Sequence, residues 1–288
     1  MPLISMKPVL QKAYENGYAV GAFNVFNLNF LEAICDAAIS KNSPVILNIA
    51  EAHFKYVALE HIVPAIRSIT ASSPINFALN LDHGLTLDGI KRALDNGFTN
   101  IMFDGSYLDF RENIKQTRHV VEVCKKYEVS VEAELGAVGG AEGGVLYANA
   151  DPSKYTDVNQ ASEFVEQTEV DFLAIAFGNS HGKYKGVPDL DFELLEKLKE
   201  VTAIPLVLHG GSGISVNDFK KSISLGIAKI NFFTGMAQAA LLTTKEYLEG
   251  AGETYDDYPL MIQMVRKNVS RVVARQMDVF GSSGKGLS

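Results

Sequence analysis

At 288 residues and 47% hydrophobic content, the chain carries enough apolar material for one large domain or two ordinary ones. Its 34 acidic and 26 basic residues leave a formal net charge of -8, which argues against non-specific nucleic-acid binding, since that interaction runs on cationic surface. No apolar run reaches membrane-spanning length and the first residues lack a basic-then-apolar leader, so no membrane partner and a cytoplasmic location are the expectation.

Short β-like runs alternate with helical ones along the chain. The β-like runs cover residues 19–26, 44–50, 75–82, 100–104, 130–135, 171–178, 205–208 and 229–233. Helical spacing falls between them, at Phe30, Ile34, Ala37 and Ala38, at Phe110, Ile114, Thr117, Val121 and Cys124, at Leu194, Leu198 and Val201, and at Val216, Phe219 and Ile223. Alternation of this kind implies parallel strands with right-handed crossovers. Eight such units in this length predict an α/β fold, an eight-stranded parallel (β/α)8 TIM barrel, spanning residues 1–288 as one domain. Residues 257–283 read as extra C-terminal helices and 284–288 as a mobile tail. Cys35 and Cys124 sit among apolar neighbours on helical stretches and read as buried free thiols.

In such a barrel the carboxyl ends of the strands form the active face. Three of the six histidines fall there: His83 after the third run, His181 just past the sixth, and His209 closing the seventh. Imidazoles converging from different strands, with a coordination position left open, make a catalytic zinc site. His53, His61 and His119 read as surface or packing residues. Asp82, beside His83, is placed to move a proton to or from a hydroxyl, or to orient a metal-bound imidazole. Adjacent strand residues point to opposite faces, so the pair can serve one site only where the chain bends, and Gly84 is the expected bend.

Glu132 and Glu134 share one face of the fifth run and need partners there, because buried charge is costly unpaired. The glycine-rich stretch 136–157 that follows reads as an active-site loop carrying the single acid Glu142 between glycines, either a closing carboxylate or a solvated one. Candidate phosphate readers are the amides of Gly210 to Gly213, the helix start after Asn231 and Thr234, and the loop lysines Lys183 and Lys185.

Seven stretches, in order, carry a family resemblance: Leu-Asp-His-Gly at 81–84, Met-Phe-Asp-Gly-Ser at 102–106, Val-Glu-Ala-Glu-Leu-Gly at 131–136, Gly-Gly-Ala-Glu-Gly-Gly at 139–144, Gly-Asn-Ser-His-Gly-Lys-Tyr-Lys at 178–185, Leu-His-Gly-Gly-Ser-Gly at 208–213 and Lys-Ile-Asn at 229–231. The chain resembles the class II, metal-dependent ketose-bisphosphate aldolases, the fructose- and tagatose-bisphosphate group. The resemblance implies a zinc-dependent lyase that reversibly cleaves a ketose 1-phosphate or 1,6-bisphosphate to dihydroxyacetone phosphate and an aldehyde. It implies that His83, His181 and His209 hold the catalytic Zn²⁺, with Asp104 and Glu134 at an alternative metal position or behind the ligands. Asp82 matches the acid/base for the C4 hydroxyl, and Glu142 the loop carboxylate that exchanges the dihydroxyacetone phosphate proton. Gly182, Lys185, Gly210, Gly211, Ser212, Asn231 and Thr234 match positions around the phosphate and hydroxyls of that half. A monovalent cation, Na⁺ or K⁺, near the phosphate and assembly into a homodimer or homotetramer are further implications. A Schiff-base route is disfavoured, because the one strand lysine, Lys229, begins the eighth run and is expected on the wrong face.

The chain departs from the family pattern at Phe233, where fructose-type enzymes usually carry an acid and tagatose-type enzymes a small residue, and at Gly235, where an acid is common. A bulky ring there implies a reshaped pocket on the aldehyde side, admitting deoxy or keto-acid sugar phosphates as candidates. Two other readings are a sugar-phosphate-binding barrel without turnover, and a zinc hydrolase acting on the same ligands.

Overall fold

The computed structural model describes residues 3–142, 145–147, 151–184, 186–251 and 257–286. Eight strands close into a parallel barrel: β1 (Val20–Asn24), β2 (Val45–Ala50), β3 (Phe77–Gly84), β4 (Asn100–Phe103), β5 (Ser130–Leu135), β8 (Phe172–Ile175), β10 (Leu206–Leu208) and β11 (Ile227–Phe232), paired in chain order with β11 returning to β1. Every run read from the sequence overlaps one of them, though β3 extends past its run to Gly84 and β11 begins before its run, at Ile227. The stretch expected as an irregular loop instead contains β6 (Gly139–Glu142) and β7 (Val145–Tyr147), which pair antiparallel, while β6 also pairs in parallel with the short β9 (Ser180–His181). Helix α1 (Met6–Asn16) precedes the barrel, and α2 (Leu28–Lys41), α3 (Leu59–Ala71), α4 (Leu87–Asp95), α5 (Phe110–Lys125), α6 (Val158–Thr168), α7 (Phe192–Thr202) and α8 (Val216–Ser224) surround it. Side chains of Asn27, Thr86, Asp109, Asp157, Asp191 and Ser215 accept from main-chain amides one turn into the helices they start, satisfying donors that the helix leaves free.

Side-chain parity divides each strand between two cores. In β3, Phe77, Leu79 and Leu81 face the helices, while Ala78, Asn80 and Asp82 face the barrel axis. The lower interior is apolar, with Ile46, Ala78, Met102, Phe172 and Val207 packed on Met6, Val9 and Leu10 of α1, which stoppers that end. The upper interior is polar, holding Asn24, Asn48, Asn80, Asp82, Glu132, Glu134, His209, Lys229 and Asn231, all buried. Groups of that cost are retained at the end of a barrel where ligands bind.

After β11 the chain runs through α9 (Thr234–Ala251) and α10 (Tyr258–Phe280). Helix α10 buries Val265, Val269, Val273, Met277 and Phe280 and lies along α2, where Arg266 pairs with Glu32 and Asp36. The segment read as a mobile tail makes main-chain bonds as far as Gly286: Gly284 donates to the Lys41 carbonyl and Gly286 to that of Asn42. Ser282, fully buried, accepts a bond from the Ser43 hydroxyl at 2.8 Å. Glycine-rich composition suggested freedom, but the amides are spent capping the end of α2.

Candidate active site

Inward parity accounts for most of the site. Asn24, Asp82, Asp104, Glu134, His209 and Asn231 all occupy inward positions at the carboxyl ends of their strands. His83 alone breaks the rule, because by alternation it should face the helices. Its φ of +43°, rare for a residue with a β-carbon, turns the ring inward, and the β3–β4 register slips between Leu81 and Gly84. The bend expected at Gly84 therefore falls on His83. Gly84 is needed for close approach: a Cβ there would lie 2.7 Å from the Met102 carbonyl oxygen.

The three imidazoles converge. Ring centroids are 4.7 Å apart for His83 and His209, 4.9 Å for His83 and His181, and 5.7 Å for His181 and His209, and one ligand nitrogen from each falls within 4.8 Å of the others. Asp104 holds Nδ1 of His83 at 2.8 Å, and Glu132 holds Nε2 of His209 at 2.9 Å. The remaining nitrogens, Nε2 of His83 and Nδ1 of His209, face each other at 3.0 Å. A carboxylate behind each ring with the other nitrogen turned to a shared point is the arrangement that orients imidazoles on a metal. Burial, aided by the charge of the neighbouring rings, drives the pKa of His181 and His209 well below the ordinary imidazole range, keeping lone pairs available. For His83 burial pulls the same way, but the carboxylates of Asp82 and Asp104 outweigh it and hold its pKa well above that range. The donor set fits zinc. A second group, His83, Asp104 and Glu134, brings ligand atoms together within the same span. Burial pushes the Glu134 carboxyl well up, and its Oε2 finds no hydrogen-bond partner among the described residues.

Asp82 sits in a clamp that the sequence reading missed. Asn231 donates to its Oδ1 at 2.9 Å and Asn24 to its Oδ2 at 3.1 Å. Burial works against its charge, yet the nearby His83 and Lys229 win and hold its carboxyl below the usual range. The signal for Asn24 was its parity, a lone amide at an inward strand end. Lys229 requires a correction. It lies within β11, fully buried inside the barrel instead of on the wrong face, with Nζ 2.6 Å from Glu132 Oε2. Its amine is committed to that ion pair, which is the stronger reason against imine chemistry.

The glycine loop and the start of α9, which carry most of the phosphate candidates, meet side by side. The backbone of Gly210 has φ +69°, and a Cβ there would stand 2.1 Å from the Ser180 carbonyl oxygen. Ser212 Oγ accepts from the Gly235 amide at 2.9 Å, so the glycine loop meets the start of α9 beside Thr234. Tyr184 fastens Gly210 to Ser180, its hydroxyl donating to one carbonyl and accepting from the other residue's amide, and burial pushes that phenol up to about 12. Gly182 follows His181 with φ +82°, and the Gly211 amide donates to the Asn231 carbonyl at 3.0 Å. Lys183 is exposed and Lys185 lies outside the described residues. Glu142 closes β6 through its main chain, and its side chain lies outside the described residues. His61 and His119 are exposed, whereas His53 is buried near the mouth of the barrel.

Residues 4–285 match the family model for class II fructose-bisphosphate aldolase. The fructose-bisphosphate aldolase of Staphylococcus aureus is 40% identical over 290 residues, covering 99% of this chain and 99% of that protein, and the one from Staphylococcus epidermidis matches to the same extent. Among solved structures, the YdjI aldolase from Escherichia coli K12 superposes with a TM-score of 0.88 at 35% identity, covering 99% of both chains. Family model, relatives and barrel agree with the histidine-lined site, and the chain belongs to the class II fructose-bisphosphate aldolase family, a family of metal-dependent carbon–carbon lyases.

Proposed function

We propose that this aldolase uses Zn²⁺ held by His83, His181 and His209 to cleave a ketose 1-phosphate or 1,6-bisphosphate reversibly into dihydroxyacetone phosphate and an aldehyde. The observation that carries the reading is the convergence of three buried imidazoles, two of them backed by carboxylates. Zinc bound there supplies a Lewis acid for the charge that develops on the substrate's oxygens. Asp104 and Glu134 stand ready as an alternative metal position. Fructose 1,6-bisphosphate, the ketose in the relatives' names, is the first to assay.

Asp82 is the base for the C4 hydroxyl in cleavage and the acid toward the aldehyde in condensation. Its depressed pKa keeps it ionised at neutral pH, and the amide groups of Asn24 and Asn231 fix both oxygens. Glu142 exchanges the proton on the dihydroxyacetone phosphate carbon, delivered by the β6–β7 hairpin. Gly182, Lys185, Gly210, Gly211, Ser212, Asn231 and Thr234 hold the phosphate and hydroxyls of that half, with a Na⁺ or K⁺ ion near the phosphate. A homodimer or homotetramer forms through α9 and α10, which expose Leu241, Leu242, Leu248, Tyr258, Leu260 and Met264. Among the described residues no helix is long and apolar enough to cross a membrane, and we place the enzyme in the cytoplasm.

Chelation tests the reading directly. Retro-aldol activity should disappear on removing metal and return with zinc, together with a fall and recovery of the melting temperature, because a ligand of the folded state stabilises it. Full activity in chelator would reject it.

A further inference from the structure

Outside the Asp82 clamp, three adjacent strands end on one aromatic cluster. Asn231 of β11 and Asn24 of β1 grip Asp82, and two residues farther along each strand stand Phe233 and Phe26. From β2, whose Ala50 is the register partner of Asp82, the chain enters a short 3-10 turn ending on His53. The rings meet edge to face in a triangle, with centroids 5.8 Å apart for Phe26 and Phe233, 6.0 Å for Phe26 and His53, and 5.3 Å for His53 and Phe233. His53 is 3% exposed and its Nδ1 has no hydrogen-bond partner among the described residues. Both phenylalanines remain partly exposed.

Resting on the aldolase reading above, we propose that Phe26, His53 and Phe233 form the wall for the aldehyde half of the substrate and select aldehydes whose carbons beside the carbonyl carry hydrogens in place of hydroxyls. The wall adjoins the carboxylate assigned to the C4 hydroxyl, since Phe26 and Phe233 each stand two residues beyond an asparagine that grips Asp82. A phenyl ring neither donates nor accepts a conventional hydrogen bond, so a hydroxyl pressed against Phe26 or Phe233 loses its water and gains nothing. A deoxy or methyl-bearing carbon gains ring contact there. His53 closes the cluster from beneath, buried, with a ring nitrogen that has no hydrogen-bond partner among the described residues. Lys55, whose ammonium sits 4.9 Å over the neighbouring Tyr56 ring, is the competing feature, since a cation there would suit a phosphorylated aldehyde.

The test is condensation by the metal-loaded enzyme of dihydroxyacetone phosphate with propanal, glyceraldehyde and glyceraldehyde 3-phosphate, in wild type, Phe233→Ser and Phe26→Ser. The readout is the ratio of kcat/KM for propanal over glyceraldehyde within each protein, which cancels differences in folded fraction. Each substitution should lower that ratio by about tenfold or more, the scale on which one apolar contact discriminates. A ratio within twofold of wild type in both variants, or a wild-type preference for glyceraldehyde 3-phosphate over both other aldehydes, overturns the wall. Proton exchange at the dihydroxyacetone phosphate carbon in deuterated water, with no aldehyde present, separates the two levels. Exchange with unchanged ratios defeats the wall alone, whereas no exchange in wild type defeats the aldolase reading and the wall with it.

Discussion

Lys229 and Glu132 form an ion pair at 2.6 Å inside the barrel, and the second oxygen of the same carboxylate lies 2.9 Å from Nε2 of His209. The ammonium thus helps fix the carboxylate that fixes the imidazole. Lys229→Met leaves Glu132 buried with its cation gone, and the expected cost is about 3–5 kcal/mol in urea unfolding. The double variant Lys229→Met, Glu132→Gln should recover part of that loss, because no bare charge remains. Equal stability of wild type and the single variant would contradict the arrangement.

Asp82→Asn removes the proposed base while keeping its shape. Cleavage should fall by about 10²–10⁴ in kcat, the usual contribution of a placed proton carrier. Zinc content, measured by atomic absorption, should stay near one equivalent, because the three imidazoles remain. Loss of metal in this variant would make Asp82 a support for the ligands.

Gly210→Ala tests the glycine loop. Its φ of +69° disfavours alanine, and the added carbon would collide with the Ser180 carbonyl, so the strand end must shift. Thermal unfolding should show a loss of more than about 1 kcal/mol, and KM for the phosphorylated ketose should rise more than kcat falls.

Burial pushes both thiols, Cys35 and Cys124, up to about 12. The reactive species is the thiolate, which is scarce at pH 8 for a group so shifted. Native protein should therefore show almost no reaction with a disulfide reagent at pH 8, and two thiols should react after unfolding in guanidinium. Rapid labelling of folded protein would show that one of the helices carrying them opens.

The barrel was readable because all eight strands alternate with helices and carry apolar residues at outward parity, from Leu79 and Leu81 to Leu206 and Leu208. His209 could be found from its strand end alone, and His181 from its place just past the sixth run, although it sits in β9 beyond the end of β8. His83 could be found, but not how it reaches the site, since a positive φ on a residue with a side chain leaves no mark in composition. Asn24 was passed over because a single amide inside the run 19–26 carries no mark of its own, and its value depends on the bond it gives Asp82 two strands away. Lys229 was misplaced because its run was started two residues late: β11 begins at Ile227, which puts the lysine mid-strand and inside. The β6–β7–β9 sheet was hidden for another reason. Gly-Gly-Ala-Glu lacks both alternation and bulk, and its pairing partner lies some forty residues on, at Ser180 and His181.

That small sheet has a mechanical corollary. Gly140 sits in register with His181, and a Cβ on that glycine would touch the histidine's own carbonyl oxygen. The hairpin bearing Glu142 is thus paired to the backbone of a proposed zinc ligand. A hairpin shifted by one residue would therefore displace both the carboxylate proposed to exchange the proton and the histidine proposed to hold the metal.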